Sequence, residues 1–136
     1  MNRILGIDYG ERRIGLAISD SLQIIATPLD VIDRKKTPQY ISIIEKIVIQ
    51  RKISKIVVGL PITMKGSISK QTELTILFIE SLKKSLEVPV YTVDERLSSK
   101  EAKRILIIKG VKTGHNKSSV DLIAAGIILQ EYLDSK

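Results

Sequence analysis

Three acidic positions fall where a phosphoryl-transfer site built on a divalent cation would need them. Asp8 ends a short apolar run, Arg3 to Asp8, and is followed by Tyr9-Gly10 and then by Arg12 and Arg13. Asp94-Glu95-Arg96 closes a second run that starts at Val90, and Asp121 falls in the first turn of the helix predicted after Lys117-Ser118-Ser119. Open α/β sheets bind ligands outside the carboxyl ends of their strands. Carboxylates gathered there suit Mg²⁺, which prefers oxygen ligands and keeps part of its water shell for substrate phosphate. One or two such ions activate a water and stabilise a leaving oxygen. Each acid also has a plainer reading. Asp8 could serve its own turn through side-chain hydrogen bonds. Asp94-Glu95-Arg96 could be an exposed charged turn, and Asp121 a favourable charge on a helix dipole. Alternation along an extended strand sends Asp94 and Glu95 to opposite faces, so the pattern alone leaves open which of the two points inward.

Other chemistries are excluded by composition. The 136 residues contain no cysteine, which removes disulfide scaffolds, thiolate nucleophiles and zinc-thiolate sites. A single histidine, His115, rules out histidine-rich metal clusters and reads as a solvated loop residue. The segment from Gly59 to Ser67 lacks the GxxxxGK[ST] spacing of a phosphate-binding P-loop, although Lys65 and Ser67 could still approach a phosphate backbone. The formal charge of +7 attracts polyanions, against the competing reading that basic residues only solvate helix faces. Arg12, Arg13, Lys65, Arg96 and Lys117 are the candidate nucleic-acid contacts, of the kind that position a phosphate backbone without reading sequence. Aromatic residues make up only 4%, which leaves few platforms for stacking single-stranded bases, so specificity is expected to come from shape or partners. No apolar run approaches the ~20 residues of a membrane span, and a carboxylate at position 8 comes too early for a signal-peptide core. The expectation is a cytoplasmic protein with no membrane association.

The elements that must position these residues follow from periodicity and turn signals. Arg3 to Asp8 and Arg13 to Ser19 read as two strands joined by a tight turn, a hairpin. Ile24 to Val31 is a third strand whose Pro28 places it at a sheet edge. Thr37-Pro38 opens a helix with Thr37 as N-cap and a stripe of Tyr40, Ile43, Ile44, Ile47 and Val48. Lys55 to Gly59 reads as a buried parallel strand, followed by a helix with Leu74, Leu77, Phe78, Leu82 and Leu86 inward. Val90 to Asp94 is the last strand. Ser98 to Glu101 is a capping box opening a helix with Ala102, Ile105 and Leu106 inward. After a basic loop from Gly110 to Lys117, Ser118 or Ser119 caps a final helix burying Val120, Ala124, Ile127 and Ile128. This order implies a single α/β domain over residues 1–136. Its mixed five-stranded sheet is a three-strand antiparallel meander plus two parallel strands, with helices on both faces.

Four motifs in order resemble the YqgF family of pre-16S rRNA nucleases, also described as Holliday-junction-resolvase-like. They are Ile4-Leu5-Gly6-Ile7-Asp8-Tyr9-Gly10 with Arg13-Ile14-Gly15-Leu16-Ala17-Ile18-Ser19-Asp20; Val57-Val58-Gly59-Leu60-Pro61 with Gly66-Ser67; Val93-Asp94-Glu95-Arg96-Leu97-Ser98-Ser99 with Ala102; and Lys117-Ser118-Ser119-Val120-Asp121 with Ala124-Ala125. The resemblance spans nearly the whole chain. It implies a ribonuclease H-like fold and a catalytic, metal-binding set of Asp8, Glu95 and Asp121 using Mg²⁺ or Mn²⁺. It further implies a precursor small-subunit rRNA substrate cut during 5′-end maturation, with ribosomal assembly intermediates as partners; the sequence leaves open whether the working form is a monomer or homodimer. Glu11 departs from the small or polar residue expected after Asp-Tyr-Gly and brings an extra acid close to the site. Two rivals remain: a non-catalytic RNA-binding or ribosome-assembly module, and a resolvase acting on branched DNA. An ATP-binding domain of the actin and sugar-kinase type would need two such units, more than 136 residues supply.

Overall fold

A computed structural model describes residues 2–61, 69–94 and 117–135, with the side chains of residues 117–120 outside the description. Strands β1 (Arg3–Tyr9), β2 (Arg13–Ser19) and β3 (Ala26–Asp33) precede helix α1 (Tyr40–Gln50). Strand β4 (Ile53–Leu60), helix α2 (Lys70–Ser85), strand β5 (Val90–Asp94) and helix α3 (Lys117–Asp134) follow. The five strands form one sheet in the order β3-β2-β1-β4-β5. The β1–β2 and β2–β3 pairs are antiparallel, and β1–β4 and β4–β5 are parallel. This is the expected meander plus two parallel strands. Pro28 lies in β3 at the sheet edge, where its missing N–H costs no ladder bond.

Both faces of the sheet are covered, which is why β1 and β4 read as unbroken apolar runs. Leu5, Ile7, Ile14, Leu16, Ile56 and Val58 bury against α1 and α2 through Ile44, Val48, Phe78 and Leu82. On the other face Ile4, Ala17 and Val57 pack against Ala125, Ile128, Leu129 and Leu133 of α3. α3 lies unusually close to the strands. A Cβ added at Gly6 would sit 2.7 Å from the Leu129 Cβ, and one at Gly15 would collide with the Asp121 backbone carbonyl. Gln130 fastens the same helix to the edge by accepting from the Ala26 N–H and donating to the Ile24 carbonyl, each at 2.9 Å.

The structure departs from the sequence-based expectations in four local ways. β3 starts two residues late because the Asp20 carboxylate accepts the N–H groups of Ile24 and Ile25, at 2.8 and 2.9 Å, and holds them in the turn. α1 is capped at Gln39, without a side-chain bond, and not by Thr37, whose N–H is taken by the Asp33 carbonyl. α2 is rotated from the expected stripe: Leu74 and Leu77 are 39% and 58% exposed, while Thr72, Thr75, Phe78, Ile79 and Leu82 face inward. The cause is polar. Ser69 and Thr72 close a capping box, the Thr75 hydroxyl bonds back to the Gln71 carbonyl, and the Thr72 hydroxyl donates to the Pro61 carbonyl. Two threonines with internal partners thus take the positions that hydropathy assigned to leucines. Finally, Ser118 and Ser119 lie inside α3, which already runs from Lys117, and not ahead of it. The helix expected after Ser98 and the basic loop to residue 116 fall outside the described residues.

The tight contact at Gly15 makes a paired prediction. Gly15→Ala should destabilise the protein by about 2 kcal/mol, since the neighbour is backbone and cannot rotate away. At Gly126 of α3 an added Cβ would meet only Pro28 Cγ at 3.8 Å, so Gly126→Ala should be neutral or stabilising by up to ~1 kcal/mol. Urea denaturation of the two variants checks the contrast, and equal losses would show that helix–sheet spacing is not the constraint.

Candidate active site

Side-chain alternation in β1 sorts its residues cleanly: Leu5, Ile7 and Tyr9 join the α1–α2 cluster, and Ile4 joins the α3 cluster. Asp8 therefore projects to the α3 face at the carboxyl end of β1. Its cross-strand partner is Gly15, the residue that lies directly beneath the Asp121 carbonyl. Opposed residues of an antiparallel pair share a face at ~4.5–5.5 Å between Cα atoms. Asp8 and the first turns of α3 are thus neighbours, and both carboxylates are half-buried. The small residues Gly15 and Ala125 are what allow the helix to come so near.

Arg13, two residues before Gly15, faces the same way. Its Nε donates to Asp121 Oδ2 at 2.7 Å, and the two side chains are only 24% and 22% exposed. Burial pushes the Asp121 carboxyl above its ordinary value, while the hydrogen bond and charge of Arg13 pull it partly back. Arg12 lies in the turn before β2, mostly exposed, with Nε 3.6 Å from Asp33 Oδ2. Exposed and loosely paired, it is available to an incoming phosphate.

The choice between Asp94 and Glu95 narrows here. Asp94 pairs with Leu60, and Leu60 packs on the α1–α2 side, so Asp94 points away from Asp8. Val93, one residue earlier and two before Glu95, packs against the α3 cluster. Glu95, Arg96 and Lys65 lie outside the described residues, as do His115 and the side chain of Lys117. Among the described residues no group of three His, Asp or Glu side chains gathers.

A support that periodicity could not reveal holds the other face of the rim. The Tyr9 ring stacks on Phe78 at 4.1 Å between centroids, and the Arg34 guanidinium lies 4.4 Å over the Tyr9 ring. Arg34 Nη1 also donates to the carbonyls of Gly10, at 2.9 Å, and Glu11, at 2.6 Å. Gln71 Nε2 donates to the Tyr9 carbonyl at 2.9 Å. Burial and the Tyr40 hydroxyl raise the Tyr9 phenol to about 12, so it stays neutral beside the cation. The end of β1 and the turn after it are thereby clamped by residues 24 and 62 positions away.

The Arg13–Asp121 pair carries a pH signature. A carboxyl whose pKa is raised by folding favours the native state below its ordinary range and loses that contribution as pH rises through the raised value. Arg13→Ala removes both influences that lower Asp121, so the variant's stability should fall further behind the wild type as Asp121 ionises. Thermal melts should show a small deficit near about pH 4 that widens to about 1 kcal/mol by about pH 7. A deficit independent of pH would mean that the pair does not act through the charge on Asp121.

Comparisons with known proteins agree with this architecture. The chain matches the RuvX family, described as Holliday junction resolvase, over residues 2–135. It is 45% identical over 132 residues to a Halothermothrix orenii protein named "Putative pre-16S rRNA nuclease", covering 97% of this chain and 94% of that one. A Caldanaerobacter subterraneus protein of the same name is 46% identical over 136 residues, covering 98% and 97%. Among solved structures, Thermus thermophilus RuvC bound to a Holliday junction aligns at TM-score 0.58 and 14% identity over 99% and 95% of the two chains. The fowlpox virus resolvase–junction complex aligns at TM-score 0.61 and 13% identity over 98% and 97%. At such identities the structural likeness speaks for the shared ribonuclease H-like fold alone, but the family match and the curated relatives span the chain: it belongs to the RuvX family of Holliday-junction-resolvase-like proteins, the YqgF family that its motifs resemble.

Proposed function

We propose that this protein is a nuclease that hydrolyses nucleic-acid phosphodiester bonds with Asp8, Glu95 and Asp121 holding Mg²⁺ or Mn²⁺, and that its substrate is precursor 16S rRNA, trimmed at its 5′ end. The observation that supports the reading is that the Asp121 backbone lies over Gly15, the cross-strand partner of Asp8, at the carboxyl end of the central strand. A binder of polyanions gains nothing from placing carboxylates beside phosphate, and a chain of net charge +7 has no need of them for solubility. The name shared by the curated relatives supports the substrate.

The donor chemistry fits such an ion: hard carboxylate oxygens, one on a central strand and one on a helix locked against it. When bound, the ion supplies an activated water and neutralises charge developing on the phosphate. Asp8 is fixed by the β1–β2 ladder, and Asp121 by the close seat of α3 on Gly15. Glu95 completes the set by the motif resemblance, supported by Val93 packing on the α3 side. Arg12, Arg13, Lys65, Arg96 and Lys117 take the phosphate backbone. The chain offers few flat rings, with Tyr9 stacked on Phe78 inside the protein and Tyr91 exposed, so recognition rests mainly on backbone shape. The family description and the junction-bound neighbours favour a second reading, cleavage of branched DNA.

Single-turnover cleavage of precursor rRNA and of a four-way DNA junction, each with Mg²⁺ or Mn²⁺, separates the possibilities. Asp8→Asn should reduce cleavage of the true substrate by about a thousandfold or more while binding is kept or tightened, because a negative charge beside phosphate is removed. Full activity in Asp8→Asn would sink the assignment. Parallel loss of binding and cleavage would favour a non-catalytic docking module.

A further inference from the structure

We propose that Arg13 is an exchangeable counter-ion for Asp121, holding its carboxylate while the site lacks a divalent cation and passing to a substrate phosphate when a cation arrives. The inference rests on the reading of Asp121 as a cation ligand. It goes beyond that reading by giving Arg13 two partners in succession and by coupling cation binding to capture of the polyanion.

Three observations converge. A half-buried carboxylate needs a positive partner, and Asp121 has one in Arg13 at 2.7 Å. That partner is held by a single bond through Nε, not by the two parallel bonds that a guanidinium makes in a dedicated structural pair. Among the described residues the Nη1 and Nη2 groups of Arg13 and the Oδ1 of Asp121 have no further partner. Arg13 also lies at the rim, where β2 leaves the turn that follows Asp8. Its long side chain can swing outward without disturbing the backbone, which is pinned by the Gly10 N–H on the Arg13 carbonyl at 2.9 Å.

Electrostatics decides the direction of the exchange. A divalent cation on Asp121 repels the guanidinium that shares the carboxylate, and the low polarity of a half-buried site weakens the screening between them. The released guanidinium has planar donors matched to a phosphate. Arg13 thus opposes cation binding in the free protein and assists substrate binding once the cation is present. Cation and substrate should therefore bind cooperatively, since each favours the same position of Arg13.

Calorimetric titration of the full chain with MnCl₂ tests the exchange without any cleavage. Arg13→Ala should bind Mn²⁺ about fivefold more tightly than wild type or better, because no counter-ion has to leave. Asp121→Asn should weaken Mn²⁺ binding, and adding Arg13→Ala to it should change little, because the effect requires the carboxylate. Arg13→Lys, which keeps the charge, should stay close to wild type. If Arg13→Ala does not fold, Arg13→Gln against Arg13→Lys carries the same contrast. In a second arm, a hydrolysis-resistant phosphorothioate oligonucleotide should bind wild type only slightly more tightly than Arg13→Ala in EDTA. With Mn²⁺ it should bind wild type about threefold more tightly. Equal Mn²⁺ affinities in wild type and Arg13→Ala, with Asp121→Asn impaired, would overturn the exchange and leave the cation site standing. Weaker Mn²⁺ binding by Arg13→Ala would overturn it in favour of a fixed positioning role. Failure of the wild type to bind Mn²⁺ would remove both the exchange and the site beneath it.

Discussion

The close seating of α3 on the central hairpin is the constraint from which the rest of the site follows. Gly6, Gly15 and Ala17 on the strands meet Ala125 on the helix, and nothing larger than a hydrogen is tolerated at Gly15. Small residues bring few contacts of their own. What they supply is distance, letting backbone approach backbone so that the Asp121 carbonyl arrives over Gly15, the cross-strand partner of Asp8, while larger residues further along, Ile128, Leu129 and Leu133, provide the burial. The helix therefore has a division of labour along its length: its first turns set geometry and its later turns supply hydrophobic stabilisation.

On the opposite face the problem is different, because a strand end beside a turn is where a sheet frays. Arg34 meets it by lying over the Tyr9 ring while bonding the carbonyls of Gly10 and Glu11. Gln71 takes the Tyr9 carbonyl from helix α2. These are polar ties to backbone and do not depend on side-chain identity in the turn. That explains how Glu11 is accommodated: its carbonyl is the anchored group, and its exposed side chain is left to solvent.

Acids in this chain do two kinds of work that look alike in one dimension. Asp20 sits at the end of a strand, as Asp8 does, yet its carboxylate caps a turn, and the N–H groups of Ile25 and Ile24 hold it below the ordinary carboxyl range. Asp121 is shifted the other way, by burial against the sheet. The opposite directions separate a carboxylate satisfied by its own loop from one buried against the sheet with Arg13 as its partner.

The order of elements along the chain, the edge position of Pro28 and the mixed sheet were legible in the sequence, because period-two patterning, β-branched runs and proline act within a few residues of themselves. The resemblance carried by the Asp8, Gly59, Glu95 and Asp121 motifs also pointed to the fold and family. The facing of α2 was not legible. Thr72 and Thr75 count as polar until their hydroxyls are seen bonded inward, and only then does the stripe of Leu74 and Leu77 turn out to be the outer one. Nor did local pattern tell whether Asp94 shares a face with Asp8; the pairing of Asp94 with Leu60 turns it to the other side of the sheet. The Arg13–Asp121 bond spans 108 residues, and the clamp of Arg34 on Tyr9 ties the turn after β3 to β1, which is not the sheet neighbour of β3. Such contacts leave no periodic trace in the chain, because they arise where separate elements meet, and tertiary packing alone decides which of many possible charged and polar partners comes within reach.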